Sequence, residues 1–485
     1  MLRQTLLYLP AQLLGPLAMF VAAVAWTHLL DAETYGVVAY VLAAQELVYM
    51  LTIAWWSLYV LRFRAGMDEA RRRRLRAADN AVVVGAAVAQ GAIAVPLLVT
   101  LDTQVTAGMF VAATAMFVTR SLLTHYSEIA RSEEAILTYT VAQLAGPLFG
   151  TLASFLAIAL FGASATVALA GIALVQAAGL AVVAWRLGVA ARLRLPDRDV
   201  LAGALVYGLP MLATGGFSWV ATNGIRLAID EIAGGEALGL FSVGWGLGQR
   251  VATVAAMLLT AAAFPLAVRL FESGDREGAL RRLADNGSLL FALLAPTTVG
   301  VALVARPLAE LMIAEPFRAA TVAILPLAVL AGGLRNQRSH FADQAFLLHA
   351  ATARLIPLTL IEGVGCIAGT VIGLRLGGGG LGGLVAATLG CTVGTAIGAA
   401  ATFVVAIRDY GLRPQWGAWG RILIASAVMA AGLAPIAWPG GVLGLTLEIA
   451  VGAGLYAVAL AVLFPAERRW TVARLRALVA SRGAA

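Results

Sequence analysis

The chain has 485 residues, of which 61% are hydrophobic and only 12% charged, and it carries a formal net charge of +8. Soluble globular proteins are apolar at nearer half of their positions, so this composition places the chain in a membrane. All 34 basic residues are arginine. The missing lysine rules out a phosphate-binding Gly-Lys-Ser/Thr loop, and with it ATP hydrolysis by this chain, and it rules out Schiff-base chemistry.

Taken in chain order, apolar runs recur from end to end, each long enough to cross about 30 Å of hydrocarbon as a helix. The short alternating segments of an outer-membrane barrel are missing. The pattern predicts an all-α polytopic membrane protein of about fourteen transmembrane helices. They start near Tyr8, Tyr35, Asp79, Gln104, Ile136, Ser164, Val200, Ala237, Asp285, Ala319, Thr352, Leu381, Arg421 and Val442. The opening "MLRQTLLYLPAQLLGPLAMFVAAVAW" has the basic start of a signal peptide. Its apolar run is long and no small-residue cleavage site closes it, so it is read as the first span.

The arginines concentrate in alternate loops: "RFRAGMDEARRRRLRAAD", "WRLGVAARLRLPDRD", "VRLFESGDREGALRRLAD", "RDYGLRPQWGAWGR" and the tail "ERRWTVARLRALVASR", with Arg3, Arg120, Arg131 and Arg354 on the same side. The opposite loops hold Arg226, Arg306, Arg318 and Arg375. This bias predicts cytoplasmic placement of the rich side, both termini included, in a multi-pass protein of the cytoplasmic membrane. The "RRRR" run is a topology signal touching anionic lipid head groups rather than a nucleic-acid site.

"LLDAETYGVVAYVLAAQE", Leu29 to Glu46, has a faint copy in the second half, "EIAGGEALGLFSVGWGLGQR", Glu231 to Arg250. Glu33 matches Glu236, Gly36 matches Gly239, and Glu46 falls opposite Gln249, beside Arg250. Such an echo is what two homologous halves of a transporter leave behind. The expected division is an N-terminal lobe of six spans over 1–195, a C-terminal lobe of six over 196–408, and two extra helices with a basic tail over 409–485. The lobes would be related by a pseudo-two-fold axis. "RLGGGGLGGLVAATLG", Arg375 to Gly390, reads as a tight turn feeding a helix of small residues that can pack closely.

No catalytic constellation stands out, and no loop is long enough for a soluble catalytic domain. Cys366 and Cys391 lie inside apolar spans and read as small core residues. His28, His125, His340 and His349 are scattered without metal-ligand spacing and read as interfacial polar residues; no metal or cofactor is expected. Ionisable groups inside the spans are the remaining signal, because each needs a partner or a wet cavity. Glu46, Arg250 and Glu362 are the clearest, and Arg335 and Arg338 share one face of the tenth span. All five are candidates for a substrate cavity. The structural alternatives are an ion pair between helices or arginines snorkelling to the interface.

The segments "HLLDAETYGVVAY", "YGLPMLATGGFSWVATNGIRLAIDEIAGGEALGLFSVGWGL", "LMIAEPFRAATVAILPLAVL" and "GLGGLVAATLG" resemble the oligosaccharide and polysaccharide flippases (Wzx-like) of the multidrug/oligosaccharidyl-lipid/polysaccharide (MOP) exporter superfamily, over essentially the whole chain. Relatives often carry an acidic residue just before the arginine corresponding to Arg226, where this chain has Asn223 and Gly224. The resemblance implies a MATE-like fold, alternating access coupled to an ion gradient, and a polyisoprenyl-diphosphate-linked oligosaccharide as substrate. Membrane lipids, a polysaccharide polymerase and glycosyltransferases would be its surroundings. Arginine's fixed fork suits phosphate oxygens, in keeping with that cargo. A multidrug exporter of the same superfamily would favour a cavity of carboxylates. A membrane-embedded oligosaccharide polymerase or ligase would carry a large extracytoplasmic loop, which this chain lacks. A lipid II flippase would carry essential arginines in its N-terminal spans, where few are found.

Overall fold

The computed structural model describes residues 2–64, 68–99, 105–189, 195, 197–260, 263–349 and 351–465. The loop around Asp102, most of the 190–196 linker and the basic tail beyond Pro465 lie outside the described residues. The described chain is helical throughout: α1 (Leu2–Leu29), α2 (Ala32–Phe63), α3 (Glu69–Val99), α4 (Ala107–Ser132), α5 (Ile136–Phe161) and α6 (Ala165–Arg186) fill the first part. One long helical stretch, Arg198–Thr260, breaks at Gly234 (φ 84°, ψ 173°) into α7 (198–233) and α8 (235–260). A short helix, Ala263–Glu272, precedes α9 (Arg276–Met312), α10 (Glu315–Leu348), α11 (Thr352–Leu376), α12 (Gly380–Tyr410), α13 (Trp416–Leu433) and α14 (Gly441–Leu463). Among the described residues, 11 helices are long and apolar enough to cross a membrane. The protein is a multi-pass membrane protein of about 14 helices, as the spacing of apolar runs predicts.

Local chemistry sets the helix ends. Asp31 caps α2 by accepting from the Thr34 amide at 2.8 Å, and Thr106 and Ser164 cap α4 and α6, each accepting from an amide three residues on at 3.2 Å. The α11–α12 turn is made by Gly378, Gly379 and Gly380 at positive φ, a conformation that side-chain-bearing residues rarely adopt. Beyond it the two helices approach through Gly365 against Gly394 and Gly369 against Gly390, so the expected small-residue contact is present. Large apolar side chains such as Val88, Leu160, Leu174 and Val458 are exposed, which suits a lipid-facing surface.

The chain divides into two compact units. The first comprises 1–247, 313–324 and 352–398, and the second 248–312, 325–351 and 399–485. Within the first, Cys366 is fully buried and Cys391 likewise, the small core residues expected. The first unit also holds two π-helical turns, Met50–Ala54 within α2 and Ala145–Gly150 within α5. Such turns redirect side chains and recur at functional sites. The second unit is stitched at one end of α9 and α13. There Gln415 donates to Asp285 at 2.7 Å, and Trp419 packs on Phe291, Phe341 and Phe403.

Three placements differ from the sequence reading. Arg120 is not in an interfacial loop but midway along α4. Arg226, expected in a loop, lies within α7, where it donates to Asn223. His125 is fully buried instead of interfacial. One arginine within a long apolar helix hardly lowers the average that marks a span, so counting charges by loop missed that Arg120 and Arg226 lie in helices.

Candidate functional site

The first unit contains a cavity of about 370 Å³ enclosed by α1, α2, α4, α5 and α6. Its polar lining includes Gln45, Glu46, Tyr49, Arg120, Thr124, Thr151 and Gln176. Apolar positions, among them Met19, Leu42, Met116 and Ile172, form the rest. Both π-helical turns adjoin it: Tyr49 immediately precedes Met50–Ala54, and Gly146 and Pro147 belong to Ala145–Gly150.

Arg120 is the cation of the cavity. Among the described residues no carboxylate lies within ion-pairing distance of it, and the Tyr49 phenol lines the same cavity. Gly146 makes room for it: a Cβ there would stand 3.2 Å from Arg120 Nη1 and 2.6 Å from Gln176 Nε2. Gln176 is itself oriented by Thr119, which donates to its Oε1 at 2.9 Å, leaving the amide NH2 beside the guanidinium. The result is a cluster of nitrogen donors in a water-accessible pocket within the span. Donors held this way suit an anion with several oxygens.

Glu46 faces the same cavity and is exposed there. The cation that acts on it within its own unit is Arg226. Near it, Trp219 donates to the Ala43 carbonyl at 3.0 Å and ties α7 to α2. Gln45 and Ser121 form a further polar contact across α2 and α4 at 3.5 Å.

The other four sequence candidates fall elsewhere. Gln249, the repeat counterpart of Glu46, accepts from Arg335 Nη1 at 2.9 Å and donates to the Ala328 carbonyl at 2.8 Å. Arg335 is thereby fixed against α8, while its neighbour in the pattern, Arg250, is half-buried on the same helix. Arg338 opens a third π-helical turn, Arg338–Ala342, and pairs with Asp343 at 3.3 Å. Glu362 is 2% exposed on α11, packed against Gly398 of α12. The cavity therefore takes one sequence candidate, Glu46, and adds Arg120, Tyr49 and Gln176. The signal for Arg120 was present in the sequence as an arginine inside an apolar run.

The comparisons agree with this architecture. A family described as "Polysaccharide biosynthesis protein" matches residues 26–321. No curated protein sequence matches the chain. Among solved structures, the lipid II flippase MurJ in an inward closed conformation aligns with a TM-score of 0.75 at 11% identity, over 95% of this chain and 99% of that one. An inward-facing multidrug resistance MATE family transporter of the MOP superfamily aligns at 0.65 and 15% identity, over 82% of this chain and 94% of that one. A MOP superfamily transporter from Pyrococcus furiosus aligns at 0.54 and 15% identity, over 84% of this chain and 94% of that one. The chain has the MurJ/MATE-like transporter fold, and by the extent of the family match it belongs to the polysaccharide biosynthesis protein family.

Proposed function

We propose that the protein flips a polyisoprenyl-diphosphate-linked oligosaccharide from the cytoplasmic to the outer leaflet, by alternating access, for cell-surface polysaccharide synthesis. The observation that carries this reading is Arg120, a guanidinium free of carboxylate pairing in a polar cavity within the membrane, in a chain of the polysaccharide family. An intramembrane charge is costly and persists where function requires it. A diphosphate repays that cost because a guanidinium forms paired, charge-assisted hydrogen bonds with phosphate oxygens. Arg250 and Arg335 are retained as further donors in the second unit, with Arg338 in that unit and Glu362 in the first as supporting charges. The two six-span lobes, 1–195 and 196–408, with the added 409–485 helices, are the frame in which we place the cycle. Glycosyltransferases would supply the lipid-linked sugar and a polymerase would consume it.

Glu46 favours a second reading, since a cavity carboxylate also suits a cationic drug. Purified protein in vesicles distinguishes the two. The flippase moves a fluorescent polyisoprenyl-diphosphate oligosaccharide between leaflets with its covalent structure unchanged. Accumulation of an organic cation without movement of the lipid would favour the exporter, and chain elongation of the sugar would favour a polymerase.

A further inference from the structure

The second unit holds a pocket of its own, at the end of α9 opposite that helix's arginine-rich start. It has a volume of about 500 Å³ and lies between the last turns of α9, the first turns of α14 and the 434–440 loop that joins α13 to α14. Its polar wall carries Arg306 and Glu310 from α9, Trp438 from the loop and Glu448 from α14. The Arg120 cavity belongs to the first unit, so this pocket is a separate site.

Glu448 is the group that calls for a ligand. It is 7% exposed and stands about two turns inside a 23-residue apolar helix, yet among the described residues it has no hydrogen bond and no ion pair. A carboxylate in such a place is costly unless something meets its charge. Arg306, about two turns before the end of α9, is likewise without a partner among the described residues. The two opposite charges therefore line one pocket without closing on each other. Trp438 Nε1 adds a buried donor with no acceptor. The helix α14 starts at Gly440 without a side-chain cap, so its positive end borders the same pocket.

An occupant that suits these groups carries both signs. A simple anion would lie against Glu448 and Glu310, and a simple cation against Arg306. A calcium ion takes about six to eight oxygens, whereas the side chains here offer two carboxylates beside an arginine. A primary ammonium joined to a phosphate by a short chain answers each group. The ammonium donates to Glu448 and Glu310, and the phosphate oxygens accept from Arg306 near the uncapped start of α14. A trimethylated ammonium would bring the charge without the N–H donors. The apolar rim points to a lipid as the bearer of this headgroup. Leu311, a wall residue, is 40% exposed, and Val442 and Leu443 on the first turn of α14 are 65% and 66% exposed. Acyl chains would meet apolar surface directly beside the headgroup.

We propose that this pocket binds phosphatidylethanolamine, with its ammonium on Glu448 and Glu310 and its phosphate on Arg306. Under the orientation drawn from the arginine bias, the lipid comes from the outer leaflet. Seated there, it would brace the start of α14 against the end of α9. The site does not rest on the flippase reading.

The test is native mass spectrometry of the full chain in detergent, titrated separately with phosphatidylethanolamine, phosphatidylcholine and phosphatidylglycerol of matched acyl chains. The wild type should retain its first phosphatidylethanolamine at a several-fold lower lipid concentration than either of the others. Glu448→Gln keeps the shape and drops the charge, and it should lose the preference over phosphatidylcholine. Arg306→Gln should weaken retention of phosphatidylethanolamine several-fold. Equal retention of the three lipids by the wild type overturns the proposal without recourse to any variant. A preference that survives Glu448→Gln overturns it as well. Glycerophosphoethanolamine, the same headgroup without acyl chains, should fail to displace the lipid at equal concentration; displacement would make the ligand a soluble one and overturn the membrane source. A melting temperature raised by calcium alone, and no longer raised in Glu448→Gln, would overturn the proposal by giving the pocket to a metal.

Discussion

Gly36 and Gly239 face each other where α2 crosses α8: a Cβ on Gly36 would lie 2.9 Å from the Gly239 nitrogen, and one on Gly239 would lie 3.1 Å from the Gly36 nitrogen. These are the two glycines matched in the sequence repeat, so each half of the repeat contributes the same small residue to one contact. Reciprocal contact of matched residues is what a two-fold relation produces.

This contact leaves no space for a methyl group, since backbone lies opposite on both sides. Gly36→Ala and Gly239→Ala should each cost about 1–3 kcal/mol. Gly85 of α3 has nothing within 4 Å of its added Cβ, so Gly85→Ala should be neutral or mildly stabilising. Thermal unfolding of the purified variants in detergent checks the contrast, and equal melting temperatures for all three would contradict it.

The ion pair of Arg338 and Asp343 is largely shielded, at 6% and 18% side-chain exposure. Arg338→Gln should destabilise by about 3 kcal/mol, the low end for breaking a buried pair. The double variant Arg338→Gln/Asp343→Asn should recover part of that loss. Additive losses would instead show that the two residues act separately.

Orientation follows from the arginine bias. Gly377→Cys, in the α11–α12 turn, should react with a membrane-impermeant reagent applied to intact cells, and Arg282→Cys, at the arginine-rich end of α9, should not. The native cysteines are buried and should stay silent. Reversed labelling would invert the proposed direction of transport.

Gly146 tests the shape of the cavity without removing a charge. The atoms that its Cβ would meet are ends of long side chains, Gln176 Nε2 and Arg120 Nη1, which can shift. Gly146→Ala should therefore fold, and should slow flipping of the lipid-linked oligosaccharide. Normal flipping with normal folding would show that the Arg120–Gln176 arrangement is not used.

The helices were legible in the sequence because a span is a property of neighbouring residues: a run of apolar side chains suffices to mark it. The repeat was legible through Gly36 and Gly239, since a close approach of backbones admits few alternatives. The cavity was legible only at Glu46. Arg120 sits in the middle of a strongly apolar helix, and its setting depends on Gly146 and Gln176, which other helices supply. His125 and Asp79, in contact at 2.9 Å, are 46 residues apart in the chain, and nothing local to either announces the other. Pairings between helices depend on packing geometry, which hydrophobic periodicity does not encode.

The central claim is that Arg120 holds the diphosphate of the lipid carrier. The direct measurement is flipping of a fluorescent polyisoprenyl-diphosphate oligosaccharide in vesicles by wild type, Arg120→Lys and Arg120→Gln, each normalised to folded protein in the membrane. Losing a charge-assisted hydrogen bond of about 1.5–3 kcal/mol should slow Arg120→Gln by roughly tenfold or more. Arg120→Lys should fall between, because it keeps the charge without the fork. An Arg120→Gln protein that folds and flips the lipid at the wild-type rate would contradict the account.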